Sequence, residues 1–414
     1  MKMFCKLSLA LSFSVMTSPA LATSLHSPEI DLPSTQYHEM WQQYQTTELV
    51  QKQIQVEPYI EQAINGGSKL AKWIEVINSH RSADNKIFLT SQDTRRGIPL
   101  DKPNIYGPKQ IQADLADLKQ QLPLSIKKIV YGSSPISETV PIDDQQFILY
   151  GRMIDRLYQT AVRWQVVIVP NKAWYTKRRQ RDVRGFYYLN SLTDLDSKLE
   201  QFEQLDIAQQ QKIHGSLRQI CINNQLTEDF CEDQFILARQ HSKGLIRYKN
   251  QYWPTAEKNW HKFFNISHPR TDIVSDHNSM RMPFLQPENN RLQTWLQRNV
   301  EDEFQYKNWH FYIDFTEDAL SHLEFEANTT PHVDDGNTIV MDQNTDIDEY
   351  EVKWTIRHEY GHVLRLPDCY VEFYDPSIEA AVNYQLDTSD LMCSRAGNMN
   401  QRIYQELQAH YGKS

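Results

Sequence analysis

The amino-acid sequence predicts an α+β protein, and three observations lead to that class. Apolar residues between 192 and 241 follow the spacing of helices. Short runs of β-branched and aromatic residues alternate with helical segments in the last third of the chain. Hydrophobic residues make up 40% of the 414 residues, and aromatic residues 11%, which is enough for folded cores. We therefore expect a mixed, largely helical N-terminal region followed by a C-terminal domain with a mixed sheet.

The first 22 residues have the pattern of a secretory signal peptide. Lys2 and Lys6 flank the start of the chain, an apolar stretch covers residues 7–16, and Ala20-Leu21-Ala22 matches a cleavage site. The apolar stretch is too short to span a bilayer, and no later segment approaches roughly 18 uninterrupted apolar residues. We therefore expect a secreted or periplasmic protein without stable membrane insertion.

The charge of the chain excludes one class of partner. A formal net charge of −10 provides no basic surface for nucleic acid or an anionic membrane. The run Lys177-Arg178-Arg179-Gln180-Arg181 is the local exception, and we interpret it as a solvated loop in preference to a proteolytic processing site. The sequence leaves the oligomeric state unknown.

Four cysteines remain after the signal peptide, and an even number in an exported chain favours disulfides. Pairing over short separations joins Cys221 to Cys231 and Cys369 to Cys393. Each bridge would contribute roughly 2–4 kcal/mol by restricting the unfolded chain.

We expect residues 23–265 to form the N-terminal region and residues 266–414 the C-terminal domain. In the N-terminal region, the β-branched run 161–170 predicts a buried strand, and the first cysteine pair is expected to join two helices. This region has no catalytic motif. It could serve as a pro-segment that is cut away or as an accessory domain.

The C-terminal domain has a more regular order of elements. β-branched and aromatic runs predict its strands, Pro287-Glu288 signals a helix start, and Pro367 stops a helix that begins in the acidic stretch around Asp346. The expected elements are a strand at 280–285, a helix at 292–304, strands at 309–315, 323–326 and 338–341, a helix from 346 to 366, and a last helix at 400–410.

The helix ending near residue 366 contains the motif His358-Glu359-Tyr360-Gly361-His362. Residues four apart lie on one face of a helix, so His358 and His362 can direct two imidazole nitrogens at one zinc ion. Glu359 is placed beside them to accept the proton of a zinc-bound water as general base. A catalytic zinc needs a third protein ligand, and Asp368 follows just beyond the helix stop. Met392, in a predicted tight turn, could form an apolar floor.

The pattern His358-Glu359-x-x-His362-x-x-Arg365-x-x-Asp368, with Met392 downstream, resembles the metzincin metallopeptidases, over about residues 280–414. A minority of that family, such as the snapalysin-like enzymes, use aspartate as third ligand. The resemblance implies a zinc endopeptidase acting on protein or peptide substrates laid along an edge strand, for which 338–341 is the matching segment.

One departure from the family is plain. The family usually has glycine where Arg365 stands, and a non-glycine residue there would incur roughly 1–2 kcal/mol. Either Arg365 is strained, or the helix runs on to Leu366 and turns differently. A bridge between Cys369 and Cys393 would tie the residue after the third ligand to the residue after Met392 and hold the two together.

Several alternatives remain open. The third ligand could be Glu372 or Glu379, as in thermolysin-type peptidases. The protein could instead be a non-catalytic binding or adhesion protein with a structural zinc held by four protein ligands. Three tyrosines near the motif, each more often structural, are candidates for stabilising an oxyanion: Tyr370, Tyr374 and Tyr384. The upstream histidines are interpreted as exposed or packed: His310, His322 and His332.

Overall fold

The structure is a computed structural model, and it describes residues 34–46, 56–89 and 97–412. The predicted signal peptide lies outside these described residues. Helices and strands are both abundant, so the predicted α+β class is confirmed. None of the helices in the described part of the chain combines the length and hydrophobicity needed to traverse a bilayer.

The N-terminal region is built almost entirely of helices, with short 3-10 turns between some of them. Its elements are α1 (Ser34–Thr46), α2 (Pro58–Ser79), strand β1 (Asn104–Tyr106), α3 (Pro108–Gln121), α4 (Leu124–Val130), α5 (Asp144–Val162), α6 (Lys172–Arg178), α7 (Arg184–Ser191), α8 (Leu195–Glu200), α9 (Ile207–Ile222), α10 (Glu228–Arg239) and α11 (Gly244–His261). The disulfide between Cys221 and Cys231 joins α9 to α10, as predicted, with the two Cα atoms 5.8 Å apart.

The predicted strand at 161–170 is wrong. Ala161 and Val162 end α5, and Arg163–Ile168 continue it as a π-helix. The β-branched residues of this run are nevertheless buried or partly buried, because they pack into or against the core formed by the N-terminal helices. Burial between helices therefore overrides the local preference of these residues for strands.

The predicted C-terminal elements occur in the predicted order, and the described part of this domain adds five further strands. The elements are β2 (Val274–Ser275), β3 (Ser279–Leu285), α12 (Asn290–Leu296), β4 (Gln305–Tyr306), β5 (Trp309–Thr316), β6 (His322–Glu326), β7 (His332–Asp334), β8 (Thr338–Asp342), α13 (Tyr350–Val363), β9 (Tyr370–Asp375), β10 (Ala380–Gln385) and α14 (Gln401–Tyr411). The further strands are β2, β4, β7, β9 and β10. A π-helical segment, Gln297–Glu301, continues α12.

Strands β2 to β8 form two sheets, one of β2 to β5 and one of β6 to β8, and these sheets meet at β3 and β6. β3 runs parallel to β5, and β6 runs parallel to β8, while β7 pairs antiparallel with β8. The Leu285 amide donates to the Ser321 carbonyl, 2.7 Å away, where β3 approaches β6. Helix α13 packs against β7 and β8.

The predicted position of the sheet edge is wrong. β8, which contains the segment 338–341, lies between β6 and β7, so β7 occupies the edge. The pairing of Val333 with Ile339 places β7 outside β8. Sequence alone did not reveal β7, because a strand of three residues is too short to produce an alternating pattern.

The hairpin β9–β10 joins the two regions of the chain. β10 pairs with β9 on one side and with β1, from the N-terminal region, on the other. Tyr374 and Ala381 of the hairpin are buried in the core of the N-terminal helices. The expected boundary at 265/266 follows α11, yet the regions on its two sides share a sheet and a hydrophobic core.

Candidate metal centre

Helix α13 positions the two histidines of the motif. His358 is buried and His362 is half-buried, and they lie one turn apart on the same face. Their Nε2 atoms are 3.1 Å from each other. The helix therefore directs both imidazoles to one point, as the spacing predicts.

The chain reverses immediately after this helix through a capping motif. The Arg365 amide donates to the His362 carbonyl, 2.9 Å away, and the Leu366 amide donates to the Gly361 carbonyl, 3.0 Å away. These two hydrogen bonds form a Schellman motif, in which the residue just beyond the helix C-cap adopts a left-handed backbone conformation. Arg365 is that residue, with φ of 69°. The helix thus ends at Val363, not at the predicted Leu366, and Arg365 is strained.

The reversal brings Asp368 to the two imidazoles. Its Oδ1 atom is 3.2 Å from His358 Nε2 and 3.1 Å from His362 Nε2. The three potential ligand atoms thus form a nearly equilateral triangle. Tetrahedral zinc with bonds of about 2.0 Å separates its ligand atoms by about 3.3 Å, so the triangle fits one zinc ion and leaves a fourth position.

The second nitrogen of each imidazole is held by a backbone carbonyl. His358 Nδ1 donates to the Leu391 carbonyl, 3.1 Å away, and His362 Nδ1 donates to the Leu366 carbonyl, 2.9 Å away. A carbonyl can only accept, so the Nδ1 atom of each imidazole carries a proton and each Nε2 atom is left facing Asp368. This fixes the tautomer that a metal ligand needs.

Electrostatics favour the ionised form of the third ligand. Burial opposes charge on Asp368, but the attraction of His362 and hydrogen bonds from both imidazoles hold its pKa well below the usual range. Burial likewise opposes charge on His362, but Asp368 raises the pKa of that imidazole. A concentration of negative charge beside two imidazoles is the environment that a cation prefers.

Met392 forms the floor of the site. It is fully buried, and a Cβ atom at Gly361 would collide with its sulfur, so glycine on this helix face admits the methionine. The disulfide between Cys369 and Cys393 brings their Cα atoms to 4.4 Å. The Cys369 amide also donates to the Met392 carbonyl, which ties ligand loop and floor together.

An ion pair between a buried carboxylate and a partly exposed arginine, which the sequence did not predict, anchors the turn that contains Met392. Asp390 is fully buried, and its Oδ1 accepts from the Met392 amide at 2.9 Å. Its Oδ2 lies 2.5 Å from Arg402 Nε, in helix α14. The last helix therefore holds the turn whose carbonyl, on Leu391, orients His358.

The three ligand atoms line a cleft of about 760 Å³. Glu359 lines the cleft beside the histidines and is 3% exposed, so the residue is largely shielded from bulk water. Another wall of the cleft is formed by β7, by Pro331 just before it and by the turn that follows it. The lining residues are Ser267, His268, Pro269, Pro331, His332, Val333, Asp335, Gly336, His358, Glu359, His362, Arg365, Leu366, Asp368 and Tyr370.

Glu372 and Glu379, the competing third ligands, lie elsewhere. Glu372 is fully buried and accepts from Arg163 and from the Tyr106 hydroxyl. Glu379 is exposed and lies near Lys109, at 3.6 Å.

Of the other candidate tyrosines and histidines, one of each type lines the cleft and the rest do not. Tyr370 lines the cleft, and its ring centroid is 6.2 Å from that of His358. Tyr384 donates to Asp182, and Tyr374 is buried among the N-terminal helices. His332 lines the cleft, which its interpretation as an ordinary packed histidine did not anticipate, whereas His310 and His322 do not line it.

Comparisons with protein-family models, with curated proteins and with solved structures found no match to this chain.

Proposed function

We propose that this protein is a zinc-dependent endopeptidase acting outside the cytoplasm. The observation that carries the proposal is the triangle of His358 Nε2, His362 Nε2 and Asp368 Oδ1, with edges of 3.1–3.2 Å, at the bottom of an open cleft. Two disulfides between the four cysteines of the described chain agree with an oxidising compartment.

Zinc bound by these residues would supply a Lewis acid that lowers the pKa of a water molecule and polarises a carbonyl. Glu359 is one residue from the first ligand and lines the same cleft. Its carboxylate would accept the proton of the attacking water and pass it to the leaving amine.

The edge strand β7 is the favoured place for the substrate backbone. Within the described residues β7 pairs only with β8, so its outer edge offers free amide and carbonyl groups. His332 and Val333 of this strand line the cleft. An extended peptide could add to this edge and pass the metal ligands on α13. This assignment replaces the segment 338–341, which is not at the edge.

A structural zinc site is less well supported. Such a site is closed by four protein ligands. Among the described residues, the cluster around His358 and His362 contains a third ligand, Asp368, and no fourth.

The proposal is tested by metal analysis together with cleavage of a broad peptide library. We expect about one zinc per chain and cleavage that a chelator stops and zinc restores. Glu359→Gln should keep the zinc and lose cleavage by a factor on the order of 100–10,000. The matched control is Glu351→Gln, which removes a carboxylate eight residues earlier on α13, and this variant should remain active. Full peptidase activity of the Glu359→Gln protein would contradict the proposal.

We also infer that the N-terminal region is a permanent accessory domain. β1 belongs to the same sheet as β9, which starts two residues after Asp368. The pair formed by Arg163 and Glu372 crosses between the regions and is closed to solvent. Mass spectrometry of the secreted protein should find a chain that starts near residue 23. An active species starting near residue 266 would support a pro-segment instead.

A further inference from the structure

Arg365 combines a strained backbone with a place in the cleft. Its φ of 69° lies in the left-handed region, which glycine adopts without penalty. The same residue lines the cleft beside His362 and Asp368. Strained residues persist where the surrounding structure or the function requires them, and they cluster at ligand sites. Glycine would form the same turn without strain, so the presence of an arginine here suggests that its side chain has a function.

Within the part of the chain that the structure describes, the Arg365 guanidinium makes no ion pair and no short hydrogen bond. It lies over Gly336, where a Cβ atom would collide with it, so the turn after β7 is shaped to admit it. Its nearest hydrogen-bonding group is the Asn337 side-chain oxygen, at 3.5 Å, which is a long contact. Among the described residues, no carboxylate lies within ion-pair distance of Arg365.

The neighbouring arginine differs in this respect. Arg270 is almost fully buried and makes a two-point contact with Asp272, at 2.8 and 2.5 Å. It also donates to Asn337 Oδ1, 2.8 Å away, and so supports the turn after β7. Burial opposes charge on Asp272, but Arg270 and, to a smaller extent, the Arg365 charge lower the pKa of that carboxyl group. Of these two arginines only Arg270 contacts the carboxylate directly, so the hydrogen-bond donors of Arg365 are left for a ligand.

The other charged groups of the cleft do not cancel this charge. Asp368 and Glu359 belong to the metal site, and Asp335 is exposed to solvent, where water screens its carboxylate. His268 and His332 line the same wall and carry no negative charge in either protonation state.

We propose that Arg365 determines specificity by binding a carboxylate of the peptide substrate. The carboxylate could belong to an aspartate or glutamate side chain or to the C-terminus of the peptide. Guanidinium is suited to this role because its fork of donors matches both oxygens of a carboxylate. This inference rests on the proposed peptidase function.

The test measures binding, so that it does not depend on turnover. Labelled peptides are titrated into the zinc-loaded Glu359→Gln protein and followed by fluorescence anisotropy. One series moves a glutamate along the peptide, each member with a glutamine counterpart, and a second compares free with amidated C-termini. We expect about tenfold tighter binding of the carboxylate form in one of these arms. Salt should reduce the difference.

Substitutions at Arg365 in the same background then identify the partner. Arg365→Gly should abolish the preference without changing the affinity for the neutral peptides, and Arg365→Lys should retain part of it. If no carboxylate peptide binds more tightly than its neutral counterpart, or if Arg365→Gly weakens all peptides equally, the inference is wrong. Failure of the wild-type protein to cleave any peptide would contradict the proposed function and leave the binding result unaffected.

A stability measurement separates this role from a structural one. Gln225 is exposed, has φ of 62° and does not line the cleft, so it is the matched control for backbone strain. Gln225→Gly and Arg365→Gly should both raise the melting temperature, because glycine relieves the strain. Only the second should lose the carboxylate preference. A lower melting temperature for Arg365→Gly would assign Arg365 to support of the turn and overturn the inference.

Discussion

The Glu372 carboxylate and the Arg163 guanidinium form a two-point ion pair that is almost completely closed to solvent, with Arg163 Nη2 2.5 Å from Glu372 Oε2. Glu372 lies in β9, four residues after Asp368, and Arg163 begins the π-helix of the N-terminal region. Arg178, in α6, adds a bond to the Glu372 carbonyl at 3.0 Å. Part of the basic run therefore supports β9, in contrast to its interpretation as a solvated loop.

Breaking this pair should destabilise the protein strongly. Glu372→Gln leaves the Arg163 charge buried without its counter-ion, which costs about 3–5 kcal/mol. Urea unfolding followed by tryptophan fluorescence measures the change. Glu379→Gln, which removes an exposed carboxylate 3.6 Å from Lys109, is the control and should change the free energy of unfolding by less than about 1 kcal/mol. Equal effects of the two substitutions would show that the buried pair does not join the regions as described.

Removal of the third ligand should release the metal. Asp368→Ala leaves two imidazoles on α13, and we expect its zinc occupancy to fall well below that of the wild type after dialysis. Because a metal that binds only the folded state stabilises it, a chelator should lower the melting temperature of the wild type and hardly affect this variant. Glu379→Gln should retain its zinc. Loss of zinc from Glu379→Gln, with retention by Asp368→Ala, would favour a glutamate third ligand.

The close contact between Gly361 and Met392 should make the stability of the protein sensitive to one added methyl group. Gly361→Ala places a Cβ atom against the Met392 sulfur, and the resulting strain should cost about 1–3 kcal/mol. Gly215→Ala is the matched control, because Gly215 also lies in a helix, α9, and a Cβ atom there meets nothing within 4 Å. That change should stabilise the protein by about 0.5–1 kcal/mol. Thermal unfolding of both variants checks the contrast, and similar shifts would contradict the close approach.

Glu349, at the start of α13, should make stability depend on pH. Burial, together with repulsion from Glu351 and Asp346, raises its pKa to about 7. The folded state therefore favours the protonated form, and its stabilising contribution is lost as pH rises from about 4.5 to about 7. Glu349→Gln should gain roughly 1–2 kcal/mol over the wild type at pH 8 and little at pH 4. A difference that is the same at both pH values would contradict the raised pKa.

The features that could be predicted from the sequence were those that depend on residues close together in the chain. The spacing of His358 and His362 fixes their common helix face, and the separations of the cysteines gave both disulfides correctly. Asp368 was proposed because Pro367 predicts a helix stop just before it; in the structure the helix ends earlier, at Val363, and the reversal that follows brings Asp368 to the two histidines. These inferences need only the geometry of one helix or one short loop.

The parts that sequence did not predict depend on contacts between distant segments. Asp390 and Arg402 each look like ordinary charged residues until α14 packs beside the turn. His332 enters the cleft because β7 covers the edge of β8. The hairpin β9–β10 had a local signal that was overlooked, since Tyr370–Asp375 and Ala380–Gln385 contain β-branched and aromatic residues on either side of a turn with Pro376.

The bridge between Cys369 and Cys393 closes a ring of chain that contains the whole hairpin β9–β10. The tip of that hairpin, residues 376–379, is exposed and is the natural place for a foreign protease to cut. A nick there would yield two pieces that migrate as one species on a non-reducing gel and separate only after thiol treatment. Asp368 and Met392 would then sit on different polypeptides, still covalently linked through sulfur.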